Sequence, residues 1–526
     1  GRVRLIQRIV PTFAAGVIAL AYVLIAPRSQ DVAAHLLRAK LFATQGFGIW
    51  NNWWYAGHNI PGYSVLFPPL AALLTPQLVA GISATVTAAL FESLAHRRYG
   101  EASWLGALWF GVATSTSLFT GRLTFAFGLM PAVGTALALQ RRRTGIAILL
   151  AFVTPLASPV GALFSALAGG AQAVGAFLPK RRIRPAFPGI GVMIASALPI
   201  LVLAVVFPEG GSEPFAFSAF WPIVVIAIAA LFLAPKGDVT LKAGVALYAL
   251  GCIASYVVAS PVGSNVTRLA PLVAGPLAAF LWWPRPGRRT AALLATALPL
   301  LYVQWHDSVR DIRTADDNAE VTAAYFQPLV SYLSRQSDQP FRIEIPFTLF
   351  HWEAYLIAPE FPLARGWERQ LDIKYNPLFY DGTLTAATYD AWLHQLAVRY
   401  VAVSDKDLDY SAKREVALIN RGLPYLRLVD RTRHWRVYAV RDPTPIVGGA
   451  ATLTELGSDW VGVEGLRPGI AVVRVRYSPY WAVVHGSGCV APDGGFTKLT
   501  VRQPGPMKLA MRFSLARIGA HSPRCS

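Results

Sequence analysis

Cysteine is scarce in this chain, with 3 in 526 residues, and acid is scarce too, with 29 Asp and Glu against 48 Lys and Arg. So few cysteines exclude a small disulfide-framework scaffold. No CxxC pair, HExxH, GxGxxG, P-loop or GxSxG occurs, so zinc, nucleotide and α/β-hydrolase readings have no footing. Charge of either sign is short: 15% of residues, where soluble globular proteins carry roughly 25%. What abounds is apolar, at 54% hydrophobic residues and a mean hydropathy of +0.42. An ordinary soluble enzyme, a disordered chain and a collagen-like chain are excluded, and an integral membrane protein with something attached remains.

The composition divides at about residue 305. Up to Gln304 there are 22 Lys and Arg against 6 Asp and Glu; beyond it there are 26 against 23. Eleven apolar runs in the first part are long enough to be read as spans, given the roughly 17–25 residues that a bilayer needs: 9–26, 68–94, 103–119, 123–140, 144–158, 160–178, 187–207, 218–235, 240–259, 268–283 and 289–305. Basic clusters fall in every second connection: Arg97–Arg98, Arg141 to Arg143, Lys180 to Arg184, Lys236, and Arg285 with Arg288–Arg289. By this reading one side of the membrane holds 17 Lys and Arg and the other five: Arg28, Arg38, Lys40, Arg122 and Arg268. The bias places the N-terminus in the cytoplasm, and an odd number of spans puts the C-terminal part outside. The excess of positive charge is then topology rather than a nucleic-acid patch. Arg2, Arg4 and Arg8 precede the first span as in a signal peptide, but no small-residue cleavage site stands out before Arg28.

Ionisable groups beside spans are costly and tend to mark function. The external side of the first part has three acids, Asp31, Glu209 and Glu213. Asp31 opens a helical stretch in the first external loop, with Asp31, His35 and Arg38 at i, i+4 and i+7 and therefore on one face. Leu36, Leu37, Leu41 and Phe42 supply the apolar face. A carboxylate there suits a general base, with His35 and Arg38 orienting it or neutralising a phosphate; the plain alternative is a helix N-cap. Next come Trp50, Trp53, Trp54, Tyr55, His58 and Tyr63, readable as an interfacial aromatic belt or as a wall against which sugar faces stack. Arg122, in a tight turn, and Asn265 with Arg268, opening the tenth run, are cationic or polar groups at the external mouth. They suit a lipid-linked phosphate or internal ion pairs with Asp31, Glu209 or Glu213.

A cytoplasmic N-terminus, an acid opening the first external loop, an amphipathic helix behind it, many spans and an external C-terminal region resemble the GT-C membrane glycosyltransferases. The run Asn51-Asn-Trp-Trp-Tyr-Ala-Gly-His, with Tyr63-Ser-Val-Leu-Phe-Pro-Pro, Phe119-Thr-Gly-Arg-Leu-Thr-Phe and Asn265-Val-Thr-Arg-Leu, is similar to actinobacterial membrane proteins labelled 6-pyruvoyl-tetrahydropterin-synthase-related. The resemblance implies sugar transfer from a polyprenyl-phosphate donor, of arabinofuranose or mannose type, to a cell-envelope glycan at the outer face of the bacterial plasma membrane. It maps the catalytic acid onto Asp31. Many members of that superfamily have two acids in this loop; here Asp31 stands alone before Glu92, which leaves a divalent metal open and implies no organic cofactor. Two other readings of the same scaffold are a flippase of lipid-linked glycan and a non-catalytic glycan-binding assembly protein.

The remainder alternates helical and strand patterns over 306–440, an α/β unit. It contains a dense polar-aromatic set, His351, Trp352, Glu353, Arg365, Trp367, Glu368 and Arg369, readable as an acceptor-binding face or as a docking surface. Asp316 and Asp317, adjacent on a helix, point different ways and read as a solvated face. Short alternating runs separated by Gly, Pro and Asp over 441–526 read as a β-sandwich similar in outline to carbohydrate-binding modules, with Tyr477, Tyr480 and Trp481 as strand residues or a sugar platform. Cys252 lies in an apolar run; Cys489 and Cys525, on the oxidising side, are expected to pair.

Overall fold

The structure is a computed structural model that describes residues 2–283, 287–316, 318–338 and 340–526. Arg285 and Asp317 lie outside the described residues. The chain divides into two compact units that do not follow chain order: Gly1–His35, Gly62–Leu203 and Gly210–Asp317 form one, and Leu36–Pro61, Ala204–Glu209 and Asn318–Ser526 the other.

The first unit is helical: α1 Arg2–Ile25, the start of α2 Val32–Gln45, α3 Phe67–Leu74, α4 Pro76–Tyr99, α5 Trp104–Ala113, α6 Ser115–Phe119, α7 Leu123–Gln140, α8 Thr144–Ala157, α9 Pro159–Lys180, α10 Phe187–Val206, α11 Phe217–Leu233, α12 Val239–Val257, α13 Leu269–Trp282 and α14 Arg288–Asp316. Six of the described helical stretches have the length and apolarity to cross a membrane, and α8 and α11 are shorter apolar helices. The chain is a multi-pass membrane protein. The run read as 68–94 breaks at Thr75, whose φ is +81° and whose hydroxyl accepts from Leu78 N at 3.3 Å to start α4. The eleventh run does not stop at 305, because α14 continues to Asp316.

Packing sorts these helices. In α7, 78% of the most apolar window is buried, against 22% in α1 and 11% in α12, so α7 is central. The outer helices leave large apolar side chains uncovered, among them Phe13, Leu24, Leu198, Val205 and Phe232. Such an exterior is stable against lipid and not against water. Pro11 touches Gly111 and Tyr22 meets Phe119 edge-on at 5.4 Å, so α1 and the α5–α6 run point the same way. Between them in sequence, α4 runs back: Gly81 lies against Ala19 and Glu92 pairs with Arg8 at 3.1 Å. Arg98 pairs with Asp238 at that same end of α4. Two connections that the charge pattern assigns to one side therefore share one end of this unit.

The second unit has two layers of different make. Its α/β part contains α15 Ala323–Leu333, α16 Glu353–Leu356, α17 Arg369–Tyr375, α18 Ala386–Gln395 and α19 Lys413–Asn420. After a small hairpin of β1 Trp50–Asn51 and β2 His58–Asn59, the strands β3 Arg342–Glu344, β4 Val398–Ser404, β5 Leu426–Arg431 and β6 Trp435–Val440 make a mixed sheet in the order β3-β4-β6-β5, with β3 and β4 parallel. Helix α18 starts with a capping box, Thr385 and Thr388 bonding each other's backbone, as a Thr before an apolar run favours. The remaining strands are β7 Val447–Gly449, β8 Ala451–Leu456, β9 Trp460–Gly465, β10 Gly469–Arg476, β11 Trp481–His485, β12 Gly488–Asp493, β13 Phe496–Val501, β14 Gly505–Met511 and β15 Arg524–Cys525. They form two sheets, β15-β12-β13-β10-β7 and β11-β14-β9-β8. Val461, Val463, Val473, Val475, Leu499 and Leu509 alternate inward to fill the space between the sheets. Cys489 and Cys525 are disulfide-bonded and pair β12 with β15; Cys252 is buried and free. Tyr480 and Trp481 are buried in this core, which removes them as an open sugar platform. Tyr477 is half-buried and stacks on His521.

Candidate functional site

Asp31 precedes the first turn of α2 and is half-buried. Among the described residues no hydrogen bond or ion pair engages its carboxylate, so it does not cap the helix by side chain; its charge is felt by Arg268. Arg268 is likewise within electrostatic reach of Arg122, Tyr63 and Glu213. The first unit thus gathers one unbonded carboxylate, two guanidiniums and a phenol from four separate connections. Arg268 ends a 3₁₀ turn, Gly263–Arg268, and stands 5.5 Å from the Phe125 ring on α7. Arg122 closes the turn before α7 and reaches Asp307 on α14 at only 3.8 Å, a loose ion pair. Arg310 also approaches Asp307, at 3.4 Å. The pairing open to Arg122 in the sequence was with Asp31, Glu209 or Glu213; its partner here is instead Asp307, 185 positions away, which no local pattern singles out. Asn265 lies in the same 3₁₀ turn, half-buried, with its backbone N–H on the Val262 carbonyl.

His35 has a different task from the one expected. Its ring is buried, with Nε2 3.1 Å from the Gly121 carbonyl and Nδ1 3.1 Å from the Thr124 hydroxyl. A carbonyl only accepts, so Nε2 carries the proton and Nδ1 accepts from Thr124. Both nitrogens are committed, and His35 serves to fasten the 120–124 turn to α2 rather than to meet a phosphate. Tyr63 and Phe67 flank the ring at 5.9 and 5.4 Å. Gly121 makes the contact possible: its φ is +75°, and a Cβ would lie 2.5 Å from Ser29 Oγ. Gly121→Ala is expected to lose about 1–3 kcal/mol through strain at this turn and to displace Arg122 from the site. Thermal unfolding of the purified variant, alongside its activity, measures both; an unchanged midpoint contradicts it.

The other predicted residues belong to the second unit and are mostly interior. Arg38 is buried and ion-paired with Glu368, so it is no phosphate ligand in this fold. Trp50 packs edge-on to Trp481 in the sandwich core and donates to Asn52 at 2.7 Å. Trp53, half-buried, accepts from Leu363 N through its carbonyl at 2.8 Å. Trp54 donates to the Ala354 carbonyl at 3.0 Å and stacks on His58, with their planes 9° apart. The Tyr55 hydroxyl lies 2.6 Å from the Gly366 carbonyl and accepts from Glu368 N at 2.9 Å. His58 bonds Asn51 and the Asn59 carbonyl, and burial pushes its pKa down to about 4. With Trp50, Trp54, Tyr55 and His58 all buried, this segment is neither belt nor sugar wall. It is a core insert, held because each indole or phenol polar atom meets a partner that water would otherwise supply.

The polar-aromatic set around 351–369 is also interior. Arg365 is sandwiched between the Phe347 and Phe379 rings at 3.9 and 4.0 Å. It donates to Asp372 from Nε at 3.2 Å and from Nη2 at 2.7 Å, and to Glu415 at 3.3 Å. Arg369 holds Asp409 in a two-pronged pair at 3.0 and 2.6 Å. His351, at φ +57°, stacks on Trp367 with centroids 3.4 Å apart and lies 3.4 Å from Asp409. Burial alone would raise Asp409, but His351 and Arg369 hold it well below the usual carboxylate range. Glu353 accepts from Thr348 Oγ1 at 2.6 Å. The carboxylates that complete this network, Asp372, Asp409 and Glu415, lie outside the set that the sequence picks out. No local spacing links most of them to Arg365 or Arg369.

Burial pushes acids of this unit up: Glu209, Glu353 and Glu415 to about 7, Glu320 to about 8, and Glu344 and Asp459 in the same direction. The unfolded chain loses these protons near 4.5, so the folded form holds protons that the unfolded form has released, and stability falls as pH rises through 8. His58 has the opposite sign but acts only below its ordinary value near 6.5. Between pH 6.5 and 8 the acids decide, and the unfolding midpoint is expected to be lower at pH 8. Calorimetry at constant ionic strength checks this; a midpoint that rises over that window contradicts it.

Neither a protein-family model nor a curated protein sequence matches the chain. Among solved structures it is similar to ArnT from Cupriavidus metallidurans bound to undecaprenyl phosphate, with 13% identity, 80% of this chain and 96% of that chain covered, and a TM-score of 0.35. A likeness that loose leaves the chemistry to be read from this chain's own residues.

Proposed function

We propose that the chain is a GT-C-type membrane glycosyltransferase of the bacterial plasma membrane. It moves a sugar from a polyprenyl-phosphate donor to a hydroxyl of a cell-envelope glycan or glycolipid on the extracytoplasmic face. The observation that carries this reading is Arg268, which lies within electrostatic reach of the Asp31 carboxylate and also of Arg122 and Tyr63. Asp31 takes the proton of the acceptor hydroxyl. The acceptor oxygen bonds to the anomeric carbon as the bond to the donor phosphate breaks, and the electron pair leaves on phosphate oxygen. Arg122 and Arg268 meet that growing charge; the looseness of the Arg122–Asp307 pair, at 3.8 Å, leaves this guanidinium open to exchange Asp307 for phosphate. On the topology read from the charge bias, with basic connections in the cytoplasm, the site faces outward, where nucleotide sugars are absent and a lipid-carried donor is required. An arabinofuranose or mannose donor follows from the actinobacterial resemblance.

The lone acid favours a second reading, a glycan-binding assembly protein on the same scaffold. Incubating the purified protein with polyprenyl-phosphoryl arabinose or mannose and envelope glycan acceptors, and detecting the lengthened product by mass spectrometry, separates the two. Binding without turnover overturns the transferase. Within the transferase reading, Arg268→Gln is expected to raise the donor KM by about tenfold or more, the worth of one charge-assisted hydrogen bond, while acceptor KM holds.

A further inference from the structure

The turn joining β5 to β6 lies beside a cleft of about 250 Å³ that the reaction above does not use. Its charged lining is Asp405, Arg431, Arg433, His434 and Arg436. Asp405 accepts from His434 Nδ1 at 2.8 Å and from the Tyr325 hydroxyl at 2.8 Å. The pair fixes the imidazole and leaves Nε2 without a partner among the described residues. Arg436 donates to Asn420 at 2.8 Å. Arg431 and Arg433 are exposed, and among the described residues no ion pair or side-chain hydrogen bond engages either. Apart from His434, three guanidiniums against one carboxylate leave the lining at a net +2.

β5 is an edge strand, and edge strands carry charge to resist pairing with other chains. That role needs neither a cavity nor an oriented histidine. The volume is below the roughly 300–1,000 Å³ of pockets for drug-sized ligands, which leaves room for a compact group. Two bare guanidiniums and a net +2 match a dianion better than a single carboxylate. A phosphate monoester carries about −1.5 to −2 at neutral pH with three strong acceptor oxygens.

We propose that this cleft is a second, separate binding site that takes a phosphate monoester, either on a soluble sugar or on a lipid headgroup. Arg431 and Arg433 clamp the phosphate oxygens, His434 Nε2 faces a further polar atom of the ligand, and Asp405 holds the imidazole.

The test is equilibrium binding of glucose 1-phosphate to the full chain in nanodiscs of neutral lipid. Wild type is compared with the exposed double variants R431Q/R433Q and R431E/R433E, and melting temperatures confirm that all three fold. Saturable binding by wild type that weakens at least tenfold in the Gln variant, and is abolished in the Glu variant, supports the site. Repeating the titration in nanodiscs carrying phosphatidic acid distinguishes the sources. Unchanged affinity means a soluble ester, whereas competition by the lipid that vanishes in the Gln variant means a headgroup. Wild type that binds neither the ester nor the anionic lipid, or variants that bind as wild type does, overturn the proposal.

Discussion

Asp31→Asn is expected to cut sugar transfer by about 10²–10⁴-fold, the usual contribution of a general base, with the unfolding midpoint unmoved. The Asp31 side chain makes no cap to α2, and Asn suits a helix start about as well as Asp, so the start of α2 survives the change. The carboxylate has no hydrogen bond or ion pair among the described residues, so none is lost. What goes is the ability to take a proton. Donor binding, assigned in the proposal to Arg122 and Arg268, is expected to persist, and a kcat loss with the donor KM nearly constant is the signature. A variant that keeps wild-type turnover removes Asp31 from the chemistry.

The second large effect is structural. Arg365→Leu is expected to cost about 3–5 kcal/mol, because removing one partner of a buried ion network leaves the others uncompensated. Asp372 and Glu415 would keep their burial and lose their cation, and Glu344, 3.9 Å from Arg365, would lose its nearest positive charge. Arg365→Lys keeps the charge but not the fork that bonds Asp372 twice, so it is expected to fall between. Unfolding followed by tryptophan fluorescence measures this in the second unit, which holds Trp54, Trp392 and Trp435 in its interior. A Leu variant as stable as wild type contradicts the network.

These two residues show which inferences a sequence supports. Long apolar runs are helices because only a helix satisfies the backbone within a single segment in lipid, and alternating runs such as Ile470 to Arg476 are strands because their period is two. Both patterns are local, and both were legible. Asp31 stands out for a similar reason, as an isolated acid beside a span, and its role is the proposal's.

The aromatic segment after α2 was misread because its partners are remote: Tyr55 meets Gly366 across 311 positions and Arg38 meets Glu368 across 330. Trp, Tyr and His in a loop after a span have the composition of an interfacial belt, and nothing within that loop says that its indoles find acceptors in another part of the chain. The Arg365 set was misread similarly. A cluster of Arg, Glu and Trp has the composition of a surface, and only its carboxylate partners, contributed by α17 and α19, make it an interior. His35 falls between the two cases. Its position on the face of Asp31 was legible, whereas its commitment to Gly121 and Thr124 depended on a turn 86 residues away.

The most direct measurement of the central claim is mass spectrometry of cell-envelope glycans from a deletion strain complemented with wild type or Asp31→Asn at matched protein levels. One sugar linkage is expected to vanish on deletion, to return with wild type and to stay absent with Asp31→Asn. Full restoration by Asp31→Asn would contradict the account.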